Sequence, residues 1–178
     1  MSAAFPVARP RRLRRTPALR ALVAETSLRP GDLVLPVFIK EGITEPAPVG
    51  SMPGVVQHTR DSLRKAAAEA AAAGVGGLIV FGVPAAKDGR GSAADDPAGI
   101  SQLALADLRA EAGGQCVIMA DLCLCEYTDH GHCGVLTAGG DVANDATLER
   151  YAAIAVAQAE AGAIRWAPAS AWATAMAR

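Results

Sequence analysis

The chain has 178 residues, of which 51% are hydrophobic and 20% are charged, and its formal net charge is −1. This composition suits one globular domain with a substantial core and excludes an intrinsically disordered chain, which would combine low hydrophobicity with high net charge. The near-neutral charge argues against a protein that coats nucleic acid, and no apolar run approaches the roughly 20 residues that span a membrane.

Residues 1–30 are the only strongly biased segment, and we interpret them as an N-terminal arm preceding a body at 31–178. The arm is basic because of its arginines at positions 9, 11, 12, 14, 15 and 20. Its prolines Pro6, Pro10 and Pro17 are expected to oppose regular structure. No apolar stretch of about 7–15 residues follows the charges, as a secretory signal would require. Two interpretations of the arm stay open, a solvated segment and a segment that wraps a neighbouring subunit, and a nucleic-acid contact ranks behind both.

Beyond residue 30, short apolar runs alternate with helix-like segments. Runs that are apolar on both faces predict buried parallel strands at 33–39, 78–83 and 116–122. Helices are predicted at 61–73, at 100–112 and from Asn144-Asp145 to Gly162, and a fourth strand is expected around 163–167. The order βαβαβαβ indicates an α/β fold with a parallel sheet. It does not by itself distinguish an open doubly wound sheet from a barrel.

Neither standard nucleotide-binding loop is present in the sequence. No G-x-G-x-x-G follows the first predicted strand, and no G-x-x-x-x-G-K-[ST] occurs anywhere. A complete (β/α)8 barrel typically needs about 250 residues, so four strands would form only half of one. Such a half is expected to expose strand edges and an inner apolar face, and therefore to be poorly soluble or to associate.

All four cysteines, Cys116, Cys123, Cys125 and Cys133, crowd into one short stretch. A secreted disulfide framework would spread them along the chain, so a metal or thiol site in a reducing compartment, the cytoplasm, is favoured. If the third strand continues, Asp121, Cys123 and Cys125 share one face, and the glycine-flanked loop can return Cys133 to them. Three converging thiolates with no fourth cysteine in range are typical of Zn²⁺ with an open coordination position. Buried or redox-active thiols are the alternative.

The polar residues around these cysteines allow more than one interpretation. His130 and His132 could complete the coordination or orient a substrate, or they could stabilise the loop that carries them. Glu126 and Asp129 are interpreted as solvated or bound to loop amides. Cys116 lies inside the third apolar run and is expected to be a small buried hydrophobic residue.

The cysteine-rich stretch resembles the zinc-dependent 5-aminolevulinate dehydratase (porphobilinogen synthase) family. The matching run contains Asp121, Cys123, Cys125, Tyr127-Thr128, His130-Gly131-His132 and Cys133-Gly134. Further matches lie at residues 11–15, 35–38, 51–55, 81–84, 87–88, 91–92, 144–148 and 159–163, so the resemblance covers most of the chain. It implies a (β/α)8 TIM barrel, here about the first four β/α units, and a homo-oligomer assembled through the arm.

The same resemblance implies an activity and residue roles. The family condenses two 5-aminolevulinate molecules to porphobilinogen in tetrapyrrole (heme) biosynthesis. Cys123, Cys125 and Cys133 match its zinc ligands, and Asp121 matches an acidic residue that lines its active site.

The resemblance is expected to end after Ala167-Pro168. There the family continues with a Ser–Met–Asp–Gly segment and about half a barrel more, which includes the two lysines that form Schiff bases with the substrates. Lys40, Lys65 and Lys87 do not match those catalytic motifs, and residues 169–178 differ from the family, as a truncation or a change of reading frame would produce. Two functions stay open, a subunit of the lyase and a catalytically inactive zinc-binding fragment.

Overall fold

A computed structural model describes residues 6–167 of the chain, so the divergent tail at 169–178 lies outside the described residues. The α-helices are α1 (Pro17–Leu22), α2 (Arg60–Ala72), α3 (Ile100–Ala112) and α4 (Asn144–Glu160). The β-strands are β1 (Val34–Lys40), β2 (Ala47–Pro48), β3 (Val56–His58), β4 (Gly77–Val83), β5 (Val117–Asp121) and β6 (Arg165–Ala167). Within this described part of the chain, no helix is both long enough and apolar enough to cross a membrane.

The strands form one six-stranded sheet in the order β2-β3-β1-β4-β5-β6. Strands β1, β4, β5 and β6 are parallel neighbours, with Val37 opposite Val80 and Val80 opposite Ala120. Successive members of this group are connected through α2, α3 and α4, and such crossovers are the connections that parallel strands need. The predicted α/β order with four parallel strands is therefore confirmed.

Helices α2 and α3 cover one face of the sheet. The large apolar side chains buried in this core are Val37, Ile39, Leu63, Leu78, Val80, Ile100, Leu105, Leu108 and Ile118. Arg60 and Arg64 of α2 both donate hydrogen bonds to the Asp107 carboxylate of α3, at 2.7 and 3.1 Å. The two helices are thus joined to each other as well as to the sheet.

The opposite face of the sheet is apolar and only partly covered. Because side chains alternate along a strand, Val34, Phe38, Ile79 and Phe81 point away from α2 and α3, and we call these four residues the inner face. The rings of Phe38 and Phe81 stack with their centroids 5.2 Å apart, and both residues are half-buried. Val34 is 45% exposed. The inner face matches the apolar surface expected of a half-barrel.

The N-terminal arm has more regular structure than its prolines predicted. A 3-10 helix spans Pro10–Arg14, and α1 begins at Pro17. Thr16 precedes α1, and its Oγ1 accepts a hydrogen bond from the Leu19 amide at 3.1 Å. Proline suits a first helical turn, because its fixed φ is helical and no N–H is needed there. The expectation that the prolines oppose regular structure was therefore wrong for Pro10 and Pro17, which begin helices, while Pro6 lies outside any helix or strand.

Candidate metal centre

The cysteines lie just beyond the carboxyl end of β5. The strand stops at Asp121, and the Tyr127 and Thr128 amides then donate to the Leu124 carbonyl at 2.8 and 2.9 Å. The chain therefore turns within 124–128 and does not continue as an extended strand. The expectation that the strand continues to Cys125 was therefore wrong, although ligand atoms of Asp121 and Cys123 do lie within 4.8 Å of each other.

The turn nevertheless brings three sulfur atoms together. Cys123 Sγ lies 3.3 Å from Cys125 Sγ, and the Sγ atoms of Cys123, Cys125 and Cys133 all lie within 4.8 Å of one another. We call these three residues the cysteine cluster. Cys123 is fully buried, while the other two are half-buried, so the cluster has a buried side and a side nearer solvent.

The loop that returns Cys133 is held by its own side chains. Thr128 Oγ1 donates to the His132 carbonyl at 2.8 Å. His130 Nδ1 accepts from the His132 amide at 3.1 Å, and His132 Nδ1 accepts from the Gly134 amide at 3.0 Å. Over residues 6–167, neither histidine belongs to a group of side chains placed to share a metal ion. The loop-stabilising interpretation of the two histidines is the one that the geometry supports.

Two carboxylates adjoin the cluster. Ligand atoms of Asp121, Cys123 and Glu126 also lie within 4.8 Å of one another, and Cys125 Sγ donates to Glu126 Oε2 at 3.2 Å. Burial, and secondly the nearby Glu126 carboxylate, raises the pKa of Asp121 to about 7. Sequence reasoning missed this position of Glu126, which was expected to be solvated or bound to loop amides. Its position directly after Cys125 is the only signal in the sequence for this contact.

The cluster fits a soft divalent cation. Zn–S bonds of about 2.3 Å place two sulfurs on one zinc roughly 3.8 Å apart in tetrahedral geometry. This value lies between the 3.3 Å that separates Cys123 Sγ from Cys125 Sγ and the 4.8 Å within which all three sulfurs lie. Thiolates also select zinc over hard cations such as magnesium or calcium. In the metal-free chain, burial raises the pKa of the Cys123 and Cys125 thiols, so both are neutral and a bound cation must displace their protons.

The remaining sequence candidates lie away from the cluster. Cys116 is buried in the main core, and its Sγ donates to the Val75 carbonyl at 3.1 Å, which agrees with its interpretation as a small buried residue. Lys65 and Lys87 are exposed and Lys40 is half-buried.

A group of buried apolar side chains supports the turn that carries Cys123 and Cys125. The side chains of Leu122, Leu124, Tyr127, Tyr151 and Ile154 form a second buried cluster with Ala94. This apolar group joins the cysteine-bearing turn to α4 and to the loop between β4 and α3. The cysteine cluster therefore lies on a packed base and not on a free loop.

Comparison with known proteins gives one consistent family. The family model described as Delta-aminolevulinic acid dehydratase matches residues 7–176, which extends past Pro168, where the resemblance was expected to end. Relatives named delta-aminolevulinic acid dehydratase are 62% identical over 161 residues in Streptomyces coelicolor and 64% identical over 161 residues in Mycobacterium tuberculosis. Each alignment covers 89% of this chain and 49% of the relative, so the chain spans about half the length of these relatives.

A solved structure shows the same architecture. The crystal structure of delta-aminolevulinic acid dehydratase (porphobilinogen synthase) from Toxoplasma gondii, in complex with the reaction product porphobilinogen, matches with a TM-score of 0.81 and 30% sequence identity. The match covers 91% of this chain and 46% of that chain. It confirms the predicted barrel class, of which the described residues form part. The chain belongs to the delta-aminolevulinic acid dehydratase family.

Proposed function

We propose that this chain provides the zinc-binding part of a 5-aminolevulinate dehydratase. Cys123, Cys125 and Cys133 are the proposed ligands of Zn²⁺, and Asp121 is the proposed acidic residue of the active site. The observation that carries the proposal is the convergence of three Sγ atoms within 4.8 Å. This convergence lies at the carboxyl end of β5, the end at which barrel enzymes place their chemistry.

The proposed chemistry divides between the metal and the protein. Zinc with an open position supplies a Lewis acid for a substrate oxygen or amine. Asp121 is buried beside Cys123, and in the metal-free chain its burial and the nearby Glu126 carboxylate raise its pKa to about 7. Its carboxyl group is placed beside the proposed metal ligands, where it can exchange a proton with a substrate bound next to the cluster.

The proposed reaction is the condensation of two 5-aminolevulinate molecules to porphobilinogen. Support comes from the names of the relatives and from the porphobilinogen bound by the Toxoplasma gondii protein. The nucleophilic lysines are proposed to lie in the half of the relatives that this chain does not cover. The alternative is a zinc-binding fragment without turnover, which the mismatch of Lys40, Lys65 and Lys87 to the family's catalytic motifs would explain.

One experiment separates these functions. The 178-residue chain is loaded with zinc and assayed with 5-aminolevulinate, both alone and together with the remaining C-terminal half of the Mycobacterium tuberculosis relative. Porphobilinogen formation by the mixture, and by neither piece alone, supports the proposal. Formation by the chain alone contradicts the assignment of the lysines to the other half. No product from a zinc-loaded, associated mixture favours the inactive fragment.

We further propose that residues 1–30 wrap a neighbouring subunit and that the enzyme is a cytoplasmic homo-oligomer. In support, apolar side chains in the arm project into solvent, with Val7 84%, Leu22 81% and Leu28 75% exposed. Free thiols at the cluster favour a reducing compartment. Sedimentation of the chain with and without residues 1–30 tests the arm, because its removal should lower the oligomeric state. An unchanged oligomer would support the solvated-arm interpretation.

A further inference from the structure

Helix α4 presents a row of buried polar side chains to the backbone around the cysteine cluster. Thr147, Tyr151 and Gln158 are each no more than 1% exposed. Thr147 Oγ1 accepts from the Val135 amide at 3.0 Å, and Gln158 Nε2 donates to the Asp121 carbonyl at 2.8 Å. The helix is therefore fixed both to the end of β5 and to the chain that follows Cys133.

Tyr151 lies between these two attachments and contacts two of the proposed ligand residues. Its hydroxyl donates to the Cys133 carbonyl at 2.9 Å, and the same oxygen lies 3.9 Å from Cys123 Sγ. The Tyr151 ring is fully buried among apolar side chains, so it cannot move aside without disturbing them. The Tyr151 hydroxyl thus contacts both the Cys133 backbone and the buried Cys123 sulfur.

We propose that Tyr151 is a positioning residue for the metal, through its hydroxyl, which sets the Cys133 backbone against Cys123. This inference rests on the proposed metal site and adds a residue outside the cysteine motif to it. Cys133 reaches the cluster through a loop, so its Sγ position depends on what anchors its backbone. A hydroxyl on a rigid helix supplies that anchor and also directs its polar end toward the sulfur that carries negative charge when metal is bound. Partners of this kind typically change metal affinity 10–100-fold.

The same apolar cluster contains a matched control. Tyr127 is also buried, but its hydroxyl pairs with the Ser101 hydroxyl of α3 and not with a cysteine. Tyr151→Phe and Tyr127→Phe each remove one buried phenolic oxygen from the same cluster. A loss of stability alone should affect both variants, whereas a positioning role should affect only the first.

The test is a titration of the full 178-residue chain with Co²⁺ and with Zn²⁺ in competition with a chelator. Tyr151→Phe is expected to weaken metal binding roughly 10–100-fold and to shift the thiolate-to-cobalt charge-transfer absorption to lower energy, because the sulfur loses a polar contact. Tyr127→Phe is expected to bind within about twofold of wild type with an unchanged spectrum. Replacement of Tyr151 by 4-aminophenylalanine, which keeps a donor, should restore binding and keeps the test decisive if Tyr151→Phe does not fold.

The outcomes separate this inference from the metal site itself. If wild type binds the metal ion and Tyr151→Phe binds it with the same affinity, the positioning role is overturned while the metal site stands. Equal weakening by both phenylalanine variants, or a 4-aminophenylalanine variant that folds but binds no better than phenylalanine, also overturns it. A folded wild-type chain that binds neither ion contradicts the metal site, and the positioning role falls with it.

Discussion

Arg150 of α4 forms a two-pronged ion pair with Asp95, its two terminal guanidinium nitrogens donating to the two carboxylate oxygens at 2.8 and 2.6 Å. Arg150 also donates to the carbonyls of Gly91 and Arg90, at 3.0 and 3.2 Å. The segment that contains Asp95 and Gly91 packs against the cysteine-bearing turn, because the Asp88 amide donates to the Tyr127 carbonyl at 3.3 Å. Arg150 thus connects α4 to the segment 90–95, which lies next to the cysteine-bearing turn.

The ion pair predicts a pH dependence of stability. The hydrogen bond from Arg150 lowers the pKa of Asp95, although burial opposes this shift. The pair therefore contributes stability that is fully present above the unfolded-state pKa of about 4 and is lost as the pH falls through the lower folded-state value. Asp95→Asn should lower the free energy of unfolding at pH 7 by roughly 1.5–3 kcal/mol and flatten its decline below about pH 4.

Urea unfolding of wild type and Asp95→Asn between pH 3 and 7 measures this effect. Asp61→Asn is the control, because the Asp61 side chain is 85% exposed in its pair with Arg64 and should contribute little. If both substitutions lower the free energy of unfolding by the same amount at pH 7, the Arg150–Asp95 pair stabilises the fold no more than an exposed ion pair does.

Replacement of Gly91, whose carbonyl accepts a hydrogen bond from Arg150, is also expected to destabilise the fold. Its φ is +63°, and a Cβ built there would lie 2.7 Å from Leu124 Cδ2 and 3.2 Å from Tyr127 Cβ. Gly91→Ala should therefore combine backbone strain with overpacking and cost about 2–4 kcal/mol. Gly42→Ala, at φ +75° with nothing within 4 Å, should show the backbone cost alone, about 1 kcal/mol.

Thermal and urea unfolding of both alanine variants measure the difference. Leu124 and Tyr127 lie in the sequence between Cys123 and Cys133 and belong to the buried apolar cluster that joins this turn to α4. Gly91→Ala should therefore also weaken metal binding, while Gly42→Ala should not. Similar unfolding free energies for the two variants would mean that the turn yields easily to the added methyl group.

Sequence reasoning succeeded where local patterns determine structure. The runs at 33–39, 78–83 and 116–122 are apolar on both faces, and each contains most of a strand in the structure. It failed at β2 and β3, which are too short for a periodic pattern, and at the cap of α4, which is Ala143 and not the predicted Asn144-Asp145 pair.

The site was predicted less completely than the fold, because its geometry depends on contacts between segments that are distant in the sequence. Cys123, Cys125 and Cys133 were expected to converge, and their sulfurs do. The convergence arises from a turn after Asp121 and not from strand alternation, because hydrogen bonds to the Leu124 carbonyl close the chain there. The contact of Tyr151 with this site depends on how α4 packs against the loop, and no local pattern encodes that.

The inner face predicts association of the 178-residue chain. Val34 and Phe38 lie on a face of the sheet that is only partly covered, and apolar surface of this kind favours self-association. Val34→Lys should lower the fraction of associated chain in sedimentation velocity at equal concentration. Val156→Lys is the control, because Val156 is 58% exposed on α4 and does not belong to the inner face. A wild-type chain that sediments as one monomeric species with a cooperative melt would contradict this prediction.

The zinc content of the purified chain tests the central claim most directly. Wild type, purified under reducing conditions and dialysed against metal-free buffer, should retain about one zinc per chain in elemental analysis. Cys123→Ser, Cys125→Ser and Cys133→Ser should each lose it, while Cys116→Ser, whose thiol lies in the main core, should keep it. A folded wild-type chain without zinc, or equal retention by all four serine variants, would contradict the assignment of the cysteine cluster as the metal centre.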